Sequence, residues 1–147
     1  MDVLTTDQKG AIAEAEIVAA ATKLGIGVYK PLTDGQRSDL IFDIGSKLLR
    51  VQCKWAPRHD EIVIVRCCSS RRAREGLRRR IYTAAEVDVI AAYCPDLDCC
   101  FLLTPDRFDG RSAIQLRLSP SRNNQRFGIN WAEDFVFEAR LEALMGP

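Results

Sequence analysis

Arg50, Gln52 and Lys54 alternate with Leu49, Val51 and Cys53. Successive side chains of a β-strand point to opposite faces, so a strand here puts the three polar groups on one side and the apolar ones on the other. Asp39 opens the preceding apolar run, and Gly45-Ser46 between the two runs predicts a tight reversal. The resulting hairpin would bring Asp39 against Gln52 and Lys54: one carboxylate, one amide and one ammonium. Those groups suit hydrolysis of a phosphodiester. Asp39 is a hard oxygen donor of the kind magnesium takes, and magnesium keeps several waters and needs few carboxylates. Gln52 offers a neutral, weaker oxygen, and the backbone carbonyl of Cys53 would complete the set. A divalent ion there would acidify a water and neutralise phosphate charge, while Lys54 would position the attacking water or stabilise charge in the transition state.

A fourth candidate lies upstream. Residues 6–24 read as a helix, with Thr5 and Gln8 at the spacing of a capping box and Gly25 and Gly27 as its stop. Around that helix Glu16 projects beside Lys9 and Lys23, a solvated face, whereas Glu14 projects among Ile17, Val18 and Ala21. A carboxylate on a face that meets a sheet is costly without a partner. Glu14 is therefore either an acid at the edge of the stripe or a member of the site.

The elements that must hold these residues follow from periodicity and turn chemistry. Strands are predicted at 28–32, 39–44, 47–55 and 61–67, with loops at 33–35 and 57–60. Residues 69–80 are expected to be partly helical. Buried strands are expected at 87–93 and 99–103 with a turn from Pro95-Asp96, one helical turn within 104–110, a half-exposed strand at 114–118, and a last helix over 131–145. A helix, a hairpin-bearing run of strands, a helix and further strands make an α/β protein.

Composition restricts the rest. The chain's 147 residues fit one domain, 1–147, and its apolar content allows a real core. No run approaches a membrane span, and the polar start lacks the basic and apolar regions of a signal peptide, so a cytoplasmic protein with no membrane partner is expected. The six cysteines (53, 67, 68, 94, 99 and 100) form no C-x-x-C pair and match no common zinc spacing, so they are expected to be buried thiols. His59, the one histidine, reads as a surface residue, Asp43 as the end of a hairpin, Asp88 as a cap or the partner of an arginine, and Trp55 and Trp131 as packing groups.

A net charge of +1 hides an asymmetry: residues 66–80 carry seven arginines and one acid, Glu75. Arginines 71, 72, 74, 78, 79 and 80 repel one another unless something anionic lies among them, and guanidinium matches phosphate with a two-pronged fork. They are candidate nucleic-acid contacts, together with Lys9 and the polar loop bearing Arg122, Asn124, Gln125 and Arg126, whose side-chain types read phosphates and base edges.

Taken together, Lys9-Gly10, Glu14, Ser38-Asp39-Leu40 and Val51-Gln52-Cys53-Lys54 resemble the PD-(D/E)xK nuclease superfamily, and most of all its branch of homing endonucleases encoded in group I introns, in which glutamine replaces the acid of (D/E)xK. The likeness runs on through Val87-Asp88-Val89-Ile90-Ala91-Ala92-Tyr93, Asn124-Gln125-Arg126 and Asn130-Trp131-Ala132. Ser38 stands where the motif often has proline, a position that tolerates exchange. The resemblance implies a restriction-endonuclease-like core, a mixed central sheet flanked by helices. It also implies cleavage of double-stranded DNA with Mg2+, for which Mn2+ may substitute, at a site of Glu14, Asp39, Gln52 and Lys54. Cutting both strands needs two such sites, hence a homo-oligomer, a dimer or tetramer. The superfamily also holds Holliday-junction and repair nucleases. Basic residues alone do not separate duplex DNA from branched DNA or RNA, and Gln52 in place of an acid leaves open a DNA-binding module without activity.

Overall fold

The computed structural model describes residues 3–120 and 128–146. The loop residues Arg122, Asn124, Gln125 and Arg126 lie outside the described residues, as do the side chains of Arg71 and Arg72.

Helix α1 (Thr6–Lys23) starts at the expected box: the Thr5 hydroxyl accepts the Gln8 amide at 3.1 Å, and the Gln8 side chain accepts the Thr5 amide at 2.8 Å. After it come β1 (Gly27–Tyr29), β2 (Leu40–Asp43) and β3 (Leu48–Trp55), paired antiparallel in that order. Gly45, at φ 91°, turns the β2–β3 hairpin, and the Asp43 carboxylate caps it by accepting the Gly45 amide at 2.9 Å. Strands β8 (Val89–Cys94) and β9 (Cys99–Leu103) complete a five-stranded sheet, β1-β2-β3-β8-β9, whose β3–β8 pair is parallel. This is the expected mixed central sheet.

One face of it is covered by helices. Ala13, Ile17 and Ala21 of α1 pack on Leu40, Phe42, Val51 and Ala91, joined by Phe137 and Leu141 of α3 (Phe137–Met145). The other face carries a second core, in which Ile90, Ala92 and Leu103 meet Val63, Val65, Ile114 and Leu116. Those partners belong to a four-stranded sheet of β4 (Arg58–His59), β5 (Ile62–Arg66), β10 (Ala113–Arg117) and β11 (Asn130–Trp131), with Phe108 of the one-turn helix α2 (Pro105–Phe108) beside them.

Three local expectations are corrected. Residues 69–80 form no helix but a hairpin, β6 (Cys68–Ala73) with β7 (Gly76–Ile81). A helix interior disfavours Gly76, and as a hairpin residue it takes φ 114°, which only glycine adopts freely. The last helix is broken: a 3-10 turn, Ala132–Phe135, ends at Val136, which bridges to Phe101 before α3 begins. Residues 58–59, expected as loop, add the short edge strand β4.

Candidate functional site

Asp39 stands immediately before β2. Its backbone amide donates to the Val51 carbonyl at 2.8 Å, and its carboxylate accepts the Cys53 amide at 2.9 Å. A strand residue aims its N–H and C=O to the same side, so the Cys53 carbonyl heads for the same edge as the Asp39 carboxylate. Burial holds the Asp39 carboxyl above its ordinary range against the lowering effect of the Cys53 amide; nearby Glu14 adds to the rise, and Lys54 and Lys30 oppose it.

Gln52 and Lys54 point to the face opposite α1, as alternation requires. Gln52 is 9 % exposed and lines a cleft of about 660 Å³ that it shares with Gln36, Arg37, Ser69, Arg78, Arg79, Arg80 and Tyr82. The Lys54 ammonium donates to the Cys68 carbonyl at 2.9 Å and lies 4.9 Å from the centre of the Tyr82 ring. Burial holds it below the usual lysine range. Among the described residues it makes no ion pair within 4 Å, although Asp39 is close enough to act on it electrostatically.

Glu14 arrives from the α1 side, by way of Cys53, whose thiol feels both carboxylates. Its carboxylate is paired with Lys30 at 3.2 Å and is about a quarter exposed. The site therefore straddles one edge of β3: Glu14 on one face, Gln52 and Lys54 on the other, Asp39 between them. Arg50 shares the strand face of Gln52 but has another task, a forked pair with Asp88 at 3.0 Å on both prongs. Lys9 lies 6.0 Å from the Trp55 ring centre.

Two residues escaped sequence reasoning. Lys30 follows the short β1, and only the register Tyr29↔Ile41 sets it beside the Asp39 end of β2. Arg37, two residues before Asp39, donates to the Glu86 carboxylate at 3.1 Å, the Ser69 hydroxyl at 2.9 Å and the Ile81 carbonyl at 3.0 Å. Glu86 also accepts Arg80 at 2.7 Å, so this one acid ties the Asp39 segment to the arginine hairpin. All six cysteines are free; Cys67, Cys68, Cys94 and Cys100 are buried as expected, whereas Cys53 and Cys99 are only half-buried. His59 is exposed, and no helix among the described residues is long and apolar enough to cross a membrane.

Among the described residues no three His, Cys, Asp or Glu side chains group to hold a metal by themselves. The oxygen donors are the Asp39 carboxylate with Glu14 in electrostatic reach and the Cys53 carbonyl on the same side, with Gln52 on the cleft face; the chemistry of such donors fits a hard divalent cation that retains water and not a thiolate-bound one.

A mixed sheet whose central strand carries Gln-x-Lys beside an aspartate, with a guanidinium-lined cleft on that face, is the arrangement expected of a nuclease. The chain belongs to the PD-(D/E)XK endonuclease family, which residues 4–138 match; nucleases of this family generally use divalent metal ions. It is similar in structure to a bacterial homing endonuclease, I-Ssp6803I, with 26% identity and a TM-score of 0.77 over 97% of this chain and 96% of that one. No curated protein matches it.

Proposed function

We propose that this chain is a magnesium-dependent endonuclease that hydrolyses double-stranded DNA, cutting at a specific site as the similarity to a homing endonuclease suggests. The observation that carries the reading is that Asp39, fastened to the Cys53 amide, lies within electrostatic reach of Lys54, while Gln52 of the same strand lines an arginine-rich cleft. Asp39, Gln52, the Cys53 carbonyl and Glu14 would hold the ion, which supplies an acidified water and charge neutralisation at the phosphate.

The chain's own groups do the rest. Arg78, Arg79 and Arg80 draw the backbone phosphates into the cleft, and Arg74 of the same hairpin adds to the positive potential; Lys9, Arg71, Arg72, Arg122, Asn124, Gln125 and Arg126 are proposed as further contacts from their residue types alone. Lys54 sits where its ammonium stabilises the added negative charge of the transition state, and its depressed affinity for a proton reflects a site already shielded from water. Lys30 holds the Glu14 carboxylate until a stronger cation competes for it. A single site per chain cuts one strand at a time, so concerted double-strand cleavage calls for a homo-oligomer, a dimer or tetramer, on duplex DNA.

The test is plasmid and linear duplex incubated with purified protein in Mg2+, Mn2+ or EDTA. Cleavage with metal, lost in EDTA and in Lys54→Ala, supports the reading; metal-independent cleavage defeats it. Gln52 in place of an acid favours a second reading, a binding module without activity, for which the result is gel retardation with no cut on any duplex or four-way junction.

A further inference from the structure

We propose that Tyr82 is a positioning residue, whose ring face holds the Lys54 ammonium at the reacting centre. This rests on the reading above that Lys54 takes part in the chemistry. A lysine stem of four carbons reaches many positions, and a misplacement of about 1 Å at a reacting group costs on the order of a hundredfold in rate. Among the described residues Lys54 has no carboxylate within ion-pair distance to fix it. What touches its ammonium is the Cys68 carbonyl, 2.9 Å away, and the Tyr82 ring, with its centre at 4.9 Å. The carbonyl occupies one of three N–H groups, and the negative ring face attracts the ammonium and sets its direction.

Both anchors ride on one piece of backbone. The Tyr82 amide donates to the Cys67 carbonyl at 3.1 Å, one residue from the carbonyl that Lys54 uses. The ring is only 2 % exposed. The Arg37 guanidinium packs 4.3 Å from the same ring centre and is itself held by Glu86, Ser69 and Ile81. The aromatic is thus held by burial and by a guanidinium that is itself anchored. An apolar side chain of similar bulk would fill the space but present no quadrupole.

Tyr82→Phe keeps the ring, and Tyr82→Leu keeps the apolar bulk without it. Two readouts separate them. In proton–carbon NMR the ε-methylene of Lys54, assigned by its loss in Lys54→Arg, is expected upfield of the other lysines in wild type and Tyr82→Phe, and to return to their position in Tyr82→Leu. In cleavage assays Tyr82→Phe is expected within about twofold of wild-type kcat, and Tyr82→Leu about 10- to 100-fold lower, with KM for duplex DNA nearly unchanged. An unshifted Lys54 resonance in wild type overturns the proposal even if the leucine variant fails to fold. Wild-type kcat in Tyr82→Leu overturns it, and so does an equal loss in Tyr82→Phe. Wild-type cleavage by Lys54→Ala would bring down the site reading as well, whereas full activity of Tyr82→Leu beside an inactive Lys54→Ala brings down this inference alone.

Discussion

The Asp39 carboxylate accepts the backbone amide of Cys53 at 2.9 Å, so the residue that opens β2 is fastened to the middle of the Gln52-Cys53-Lys54 run. The bond fixes the acid's orientation without a countercharge, and among the described residues the second carboxylate oxygen takes no hydrogen bond on the side where Glu14 also approaches. Orientation here is maintained against a cost, because burial resists ionisation of the group that is being held.

That cost predicts a trade between stability and activity. The folded-state pKa of Asp39 is raised, chiefly by burial, so ionisation favours the unfolded chain. The group's favourable contribution is complete below the ordinary carboxylate range and is lost as pH rises through the folded value. Without metal, Asp39→Asn should therefore melt higher than wild type at pH 8, by about 2–4 °C if the relief is near 1 kcal/mol, with the advantage shrinking toward pH 4. The same variant should not cleave. Melting curves across that range in EDTA check it, and an asparagine variant that melts lower at pH 8 would contradict it.

Lys54→Ala should separate chemistry from binding. Its ammonium is one cation among many at the cleft, so the affinity for duplex should stay within about threefold. Its loss from the transition state should lower kcat by about 100- to 1000-fold. Single-turnover cleavage beside a filter-binding titration measures both quantities.

The three strand-borne residues were legible because a period of two and a Gly-Ser turn determine which side chains meet, and neither needs distant partners. The capping box is local in the same way. Residues 69–80 were misread because a run of arginines has no apolar rhythm to distinguish strand from helix; the deciding signal was Gly76, which a helix tolerates poorly. Arg37 and Lys30 gave no signal, since the contacts that define them are long-range: Arg37 meets Glu86 across 49 positions of the chain. The covering of the second sheet face by β5 and β10 was equally hidden, because an apolar strand face does not reveal whether a helix or a sheet will pack on it.

Arg79 makes no ion pair among the described residues, and Arg78 pairs only with the exposed Glu75, so both guanidiniums are available to phosphates. The double variant Arg78→Ala/Arg79→Ala should weaken binding to all duplexes alike. If each arginine neutralises one phosphate, the slope of log affinity against log salt should fall by about 0.9 for each. Titrations at several salt concentrations on two unrelated sequences decide it; an unchanged slope would remove these residues from the interface.

The Arg50–Asp88 fork should matter for stability and not for cleavage. Asp88 accepts Arg50 through both carboxylate oxygens and also receives its backbone amide at 2.7 Å, which locks the start of β8 to β3 upstream of the reacting edge. The Arg50 guanidinium holds the Asp88 carboxyl below its usual range. A lowered pKa means that the stabilisation is complete above the ordinary carboxylate range and is lost as pH falls through the folded value. Both side chains are about a third exposed or more, so screening limits the pair to at most about 1 kcal/mol. Asp88→Asn should therefore lower the melting temperature by about 2–4 °C at pH 7, and the gap to wild type should narrow below pH 4. Cleavage well below melting should stay within about twofold of wild type, because the Arg50 side chain spends its hydrogen bonds on Asp88, Ala84 and Ala85 and does not line the cleft. A gap that stays constant with pH would show that Asp88 acts through packing and not through its charge.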